Sequence, residues 1–325
     1  MVQFSTPEIE AAFRNAAERR GVLIGRLLPD GQLHRCDAAG RHGKGDAAYL
    51  LHLDGIPAGG FENHRDGLGW ESWRASVQAA MTEEERAACR KTIERQKAER
   101  EAARAAAFKE AMAKAAWILQ QSTHAKPGHP YLVRKRVQPH RLRDYRGMLV
   151  APMRTLDGAL TSLQFIGPDG AKRYLRGGAT AGALYGIGRR GAMDVIAIAE
   201  GFSTAATVHE ATGFPVAVAF DAGNLALVAR AIRAKYPAAR IVMCADDDWK
   251  TVHPVTGAPM NPGLDAACAA ANAANAALAV PVFGEGRRDG DTDFNDLAAL
   301  AGLDTVRAQI GRAVEIAAGE VRRCA

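Results

Sequence analysis

Five carboxylates in the second half of the chain have the spacing that metal-assisted phosphoryl chemistry needs. Glu200 directly follows the apolar run Val195–Ala199, and Asp246 and Asp248 directly follow a second run, Ile241–Ala245. Both runs are short, rich in β-branched residues and bounded by turn or charge signals, so they read as buried parallel strands. Side chains at the carboxyl ends of such strands face the crevice where doubly wound α/β folds bind ligands. Asp246 and Asp248 are two apart, so in extended backbone both point to one side and Asp247 points away. Asp293 and Asp296 flank Phe294-Asn295 just beyond a further apolar run, LAVPVF, and are placed to join the same crevice. Mg²⁺ (or Mn²⁺) suits such oxygen ligands, and paired ions can align an in-line phosphoryl displacement. Taken singly, each aspartate is equally well explained as a helix cap or loop residue. Acids after three strands of one sheet point to a site.

The cations are placed unevenly. The net charge of +6 is the sum of +1 over residues 1–123, +10 over 124–190 and −5 over 191–325. A basic block therefore stands directly before the acidic one, which suits a phosphate-binding surface beside a metal-binding surface. Within it, YLVRKRVQPHRLRDYRG interleaves Arg134, Lys135, Arg136, Arg141, Arg143 and Arg146 with Tyr131, His140 and Tyr145. Clustered cations with aromatics hold single strands by phosphate contacts and base stacking.

Composition bounds the rest. With 48% hydrophobic and 24% charged residues, the chain reads as an ordinary globular protein long enough for two domains. It has no 18-residue apolar run and no secretory signal at its amino terminus, so no membrane partner is expected. Five scattered cysteines without a C-x-x-C pair argue for a reducing, cytoplasmic location. His34, Cys36, His42, His52 and His64 match no zinc spacing, and no zinc is expected.

In chain order, residues 1–79 read as a small α+β module. Ser5-Thr6-Pro7 starts a helix to Arg20, and VLIGRLL and QLHRC read as a hairpin across Pro29-Asp30-Gly31. Trp70 and Trp73 are expected to close its core. Residues 80–123 lack Gly and Pro and read as a long charged helix, capped by Thr82, with Phe108, Met112, Ala115 and Leu119 as an apolar stripe. Residues 124–190 form the basic subdomain, with turns at Leu156-Asp157-Gly158 and Pro168-Asp169-Gly170 joining antiparallel strands. From 191 to 300, strands alternate with helices, which implies a parallel four-stranded sheet with flanking helices and right-handed crossovers. A last helix falls in 301–325.

Glu200-Gly201 followed by Asp246-x-Asp248 resembles the Toprim domain, found in bacterial-type primases, topoisomerases and some nucleases. VAPMRTLDGALTSLQFI with AKRYLRGG resembles the basic subdomain that precedes Toprim in bacterial primases. LYGIG resembles the link between them, and TDFNDL at 292–297 resembles the third acidic motif of plasmid and phage primases. The likeness covers roughly 127–300 and is closest to the Toprim primases of conjugative plasmids and phages. It implies that Glu200, Asp246 and Asp248 are catalytic metal ligands, with Asp293 and Asp296 as additions. It also places Arg173 at the basic position before Tyr174-Leu175, with Arg154 and Lys172 nearby, for contact with nucleotide or template. The implied activity is RNA primer synthesis on single-stranded DNA from nucleoside triphosphates, with a replicative helicase as a candidate partner. The cysteine zinc ribbon of replicative primases is missing from 1–79, which leaves template selection to that module or to another protein. A Toprim nuclease, or a non-catalytic single-strand-binding or replisome-docking protein, are the alternatives.

Overall fold

The structure is a computed structural model that describes residues 6–40, 42–53, 57–75, 83–188, 194–253 and 257–319. The Ser5 and Thr82 caps lie outside these residues. Contacts divide the chain into two compact units, Met1–Ala103 with Val252–Pro259, and Arg104–Thr251 with Met260–Ala325.

The first unit pairs helix α1 (Thr6–Arg19) with five antiparallel strands in sequential order: β1 (Val22–Leu23), β2 (His34–Ala38), β3 (Ala47–His52), β4 (Ala58–Asn63) and β5 (Glu71–Arg74). Phe13 of α1 anchors the core against Phe61 and Trp73, with ring centroids 5.7 and 5.2 Å away. Trp70, expected beside Trp73 in that core, is instead 42% exposed. The runs expected as a hairpin do pair antiparallel, Val22 with Ala38 and Leu23 with Asp37, but residues 24–33 form a long connection in place of a tight turn at Pro29-Asp30-Gly31. VLIGRLL is apolar enough for a strand, but Gly25 and Pro29 interrupt its ladder.

In the second unit the carboxyl end of α2 (Glu83–Gln121) packs on an antiparallel sheet. The buried positions are Ala111, Ala115 and Ile118, with Met112 and Leu119 beside them, so the stripe is rotated from the expected one and Phe108 lies at its margin. Small residues let the helix approach closely. A Cβ on Gly177 would already stand 3.1 Å from the Ala107 carbonyl oxygen. The sheet runs in the order β10 (Lys172–Tyr174), β9 (Leu160–Ile166), β8 (Met148–Arg154), β7 (Arg143–Tyr145), β6 (Thr123–His124). Gly158 and Gly170 close its two turns with φ of 98° and 89°, a region that favours glycine. The short helix α3 (Pro130–Lys135) starts at the proline break.

The third sheet supports the acids. Strands β13 (Val216–Val218), β12 (Val195–Ala199), β14 (Arg240–Cys244) and β15 (Ala277–Ala279) are all parallel, in that spatial order. A fifth strand not expected from the sequence, β11 (Tyr185–Ile187), pairs antiparallel to β13 at the edge. Helices α4 (Phe202–Thr212), α7 (Phe294–Ala301) and α8 (Leu303–Gly319) cover one face. Helices α5 (Ala222–Lys235) and α6 (Pro262–Ala274) cover the other. Burial on both faces explains why every residue of β12 is apolar and buried. Among the described residues, no helix is long and apolar enough to cross a membrane.

Candidate active site

The carboxyl ends of β12, β13 and β14 each deliver an acid. β12 runs into Glu200 and then Gly201, the N-cap of α4. β13 runs through Ala219 into Phe220, whose φ of 76° is unusual for an aromatic residue, and the chain turns into Asp221, the N-cap of α5. β14 runs through Ala245 into Asp246, Asp247 and Asp248. The Asp247 N–H donates to the Thr292 carbonyl oxygen at 2.7 Å, tying this loop to the segment before α7.

The three aspartates part as the spacing predicts. Asp247 turns away, where its carboxylate takes Arg287 at 2.8 Å and the Asn261 amide at 2.6 Å. Arg287 itself lies 4.5 Å from the ring centroids of both Trp249 and Phe283, which fixes the loop from outside. Asp248 accepts the Gly263 N–H at 3.0 Å, in the first turn of α6. Only glycine fits there, since a Cβ would meet the Asp246 carbonyl at 2.7 Å and the Asp248 carboxylate at 2.8 Å.

Asp246 has a buried Oδ1 with no hydrogen-bond partner. Its carboxyl is pushed up to about 8 by burial and by the neighbouring Asp293, Glu200 and Asp248, while Lys172 opposes the rise. Glu200 is also raised, first by burial and then by Asp248 and Asp221, again opposed by Lys172. These five acids and Lys172 thus share one electrostatic neighbourhood. Among the described residues, no three His, Cys, Asp or Glu side chains converge on a common point that could hold a metal ion. A divalent cation would offset the mutual repulsion of these acids. The residues fit that cation nonetheless, because a buried oxygen without a partner, set among carboxylates in an apolar setting, is a ligand set for a hard divalent ion.

Asp293 and Asp296 behave differently from each other. Together they form the capping box of α7, and the Asp293 Oδ2 accepts the Thr204 hydroxyl at 2.9 Å. Asp293 is buried, raised by that burial and by Asp296, and is the nearer of the two to Asp246 in effect. Asp296 spends one oxygen on the Thr292 N–H at 3.1 Å and the other on Lys135 at 3.4 Å. Between them Asn295, buried, donates to the Lys135 carbonyl oxygen at 2.7 Å and to the Thr207 hydroxyl at 2.9 Å. One amide thereby joins α3, α4 and α7.

The candidate cations are spread more widely than the sequence suggests. Lys172 and Tyr174 share one face of β10, turned to the acids. Lys172 acts on Glu200 and Asp246, and the Tyr174 hydroxyl donates to the Phe220 carbonyl at 3.2 Å and to Asp221 at 3.3 Å. Arg173 points to the opposite face, beside the Met148 sulfur at 3.5 Å. Arg134 and Arg136 are exposed. The first donates to the Pro168 carbonyl at 3.0 Å, and the second caps α3 in a left-handed conformation. Lys135 is half-buried against Asp296. Arg154 donates to the Gly158 carbonyl at 2.9 Å and lines a separate cleft.

Sequence reasoning overlooked Asp221, Asn295 and Gly263. Asp221 had a signal, an acid directly after the apolar run PVAVAF, and it is also the N-cap of α5.

Residues 195–304 match the Toprim domain. The chain is homologous to the DNA primase TraC of Escherichia coli, with 32% identity over 299 residues in one relative and 31% over 333 in another. These matches take in 86% and 97% of this chain but only 27% and 22% of the relatives, so it spans about a quarter of their length. Among solved structures, the primase fragment of the bacteriophage T7 primase-helicase protein aligns with a TM-score of 0.41 and 16% identity, over 58% of this chain and 81% of that one.

Proposed function

We propose that this chain is a DNA primase, making short RNA primers on single-stranded DNA by divalent-metal-dependent nucleotidyl transfer in the replication of a plasmid, phage or other mobile element. The observation that carries the reading is one crevice with two kinds of wall. Acids from three adjacent parallel strands, including the partnerless oxygen of Asp246, face Lys172 and Tyr174 of a cation-rich antiparallel sheet. The names of the curated relatives support it.

In this reading Glu200, Asp246 and Asp248 hold the ion, Mg²⁺ or Mn²⁺, with Asp293 as an additional acid and Asp296 committed to Lys135. When bound, the ion neutralises phosphate charge and eases ionisation of the attacking hydroxyl. Lys172 offers an ammonium to triphosphate oxygens beside Glu200, and the part-exposed Tyr174 ring offers a stacking face. Arg134, Arg136 and Arg173 line residues 124–190 with exposed cations for template phosphates. Asn295 and the Lys135–Asp296 pair hold that basic segment in register with the acids.

Incubation with single-stranded DNA, four ribonucleoside triphosphates and Mg²⁺ tests the reading, with labelled oligoribonucleotides as the expected product. Asp246→Asn should abolish synthesis while leaving DNA binding intact. No product on many templates, with metal binding retained, would overturn the proposal. Strand cleavage without added nucleotides would identify a nuclease, and full biological activity in Glu200→Gln and Asp246→Asn would identify a docking protein.

A further inference from the structure

A cleft of about 400 Å³ opens on the α5 face of the third sheet, away from the acidic crevice. Its floor lies over the amino-terminal halves of β12 and β13, at Ile196, Pro215 and Val216, whereas the acids leave the carboxyl ends of the same strands. Gly186 leaves one wall of the cleft open. Alternation along β11 turns Tyr185 and Ile187 into the α4-side core and leaves Leu184 and Gly186 on the α5 side. A Cβ on Gly186 would meet nothing within 4 Å, so the space above it is unfilled, and its φ is not in the left-handed region. No backbone demand explains a glycine there.

The rim is cationic. Lys235 is engaged with Asp157 at 2.8 Å. Arg141 and Arg154 each donate to a single carbonyl, Gly188 and Gly158, both at 2.9 Å. Among the described residues neither guanidinium has a carboxylate partner within an ion pair. Each is therefore oriented by one bond and keeps other N–H groups for an anion. An apolar floor with two such arginines, at a volume in the range of small-molecule sites, defines what fits.

We propose that this cleft is a second small-molecule site, for an organic anion whose compact apolar body lies over Gly186 and whose phosphate or carboxylate lies between Arg141 and Arg154. The inference is independent of the primase reading. Its ligand would also brace two sheets against each other, because the Arg154 and Leu184 backbones bond reciprocally at 3.0 and 2.8 Å.

Calorimetric titration of the full chain with phenyl phosphate, adenosine 5′-monophosphate and benzoate tests this, with inorganic phosphate as the body-free control. The expected result is saturable binding of a ring-bearing probe, with inorganic phosphate weaker by roughly tenfold or more. The phosphate and benzoate arms separate the two anion types. Gly186→Leu, which fills the cleft, and Arg141→Ala, at an exposed position, should each weaken that probe by roughly tenfold or more. Lys172→Ala should leave its affinity unchanged. The proposal is overturned if no ring-bearing probe binds, if neither variant weakens binding, or if Lys172→Ala removes it. A thermal melt of Gly186→Leu separates blocked binding from misfolding, and Arg141→Ala decides the case if that variant does not fold.

Discussion

Asp246 carries an unfavourable charge in the crevice, and that makes it a pH gauge. Its carboxyl is raised to about 8 by burial and by Asp293, Glu200 and Asp248, against about 3.9 in an unfolded chain. The folded protein therefore keeps a proton there that the unfolded chain gives up. Stability from this group is fully present below about pH 4 and is lost as pH rises through about 8. In chelator, the melting temperature should fall between pH 5 and pH 8.5, and it should fall less in Asp246→Asn. Mg²⁺ should restore more of it at pH 8.5 than at pH 5, because at the lower pH the ion must displace a proton; scanning fluorimetry at both pH values checks this. Lys172 and Arg173 offer a second comparison. They are adjacent in sequence but on opposite faces of β10, and only Lys172 reaches the field of Glu200 and Asp246. Lys172→Ala should reduce kcat or raise the nucleotide KM by roughly tenfold or more. Arg173→Ala should act on DNA affinity with little change in nucleotide KM. Equal effects on both parameters would refute that division.

Among the elements, the junction of α6 with the loop after β14 leaves no room for a side chain at Gly263. Gly263→Ala places a methyl group 2.7 Å from the Asp246 carbonyl, so either the helix or the loop of proposed metal ligands must shift. The expected cost is about 1–3 kcal/mol of stability, together with weaker Mg²⁺ binding, measurable by denaturant unfolding and by titration. The sequence carried part of this architecture. The runs at β12 and β14 and the turns at Gly158 and Gly170 were readable because periodicity and positive-φ glycines are local signals. Where each of Asp246, Asp247 and Asp248 points was readable too, since strand geometry fixes it. The division of labour between Asp293 and Asp296 was not readable, since a capping box and a ligand pair look alike until a partner such as Lys135 is placed. Nor was β11, three residues long and identifiable as a strand only through its pairing with β13. The α2 stripe was read only in part: Met112, Ala115 and Leu119 pack on the sheet as expected, whereas Ala111 was missed because alanine is silent in a hydrophobicity pattern yet is what close packing selects.

At the scale of the whole molecule, the charge asymmetry sets the terms for the proposed binding of nucleic acid. Arg134 and Arg136 are exposed, while Lys135 is bound to Asp296. Arg134→Ala and Arg136→Ala should each lower single-stranded DNA affinity and reduce the slope of log K against log salt by about 0.7. Lys135→Ala should leave that slope nearly unchanged and impair synthesis instead; fluorescence anisotropy across a salt series separates the two. The Asn295 amide has a further consequence, in time. Its partners Lys135 and Thr207 lie 160 and 88 residues earlier in the chain. Contacts of such separation require closure of long loops and form slowly. The strands bearing Glu200 and Asp246 can therefore assemble before the basic segment is pinned beside them. After dilution from denaturant, helical circular dichroism should return before primer synthesis does, and the lag should report the docking of α7.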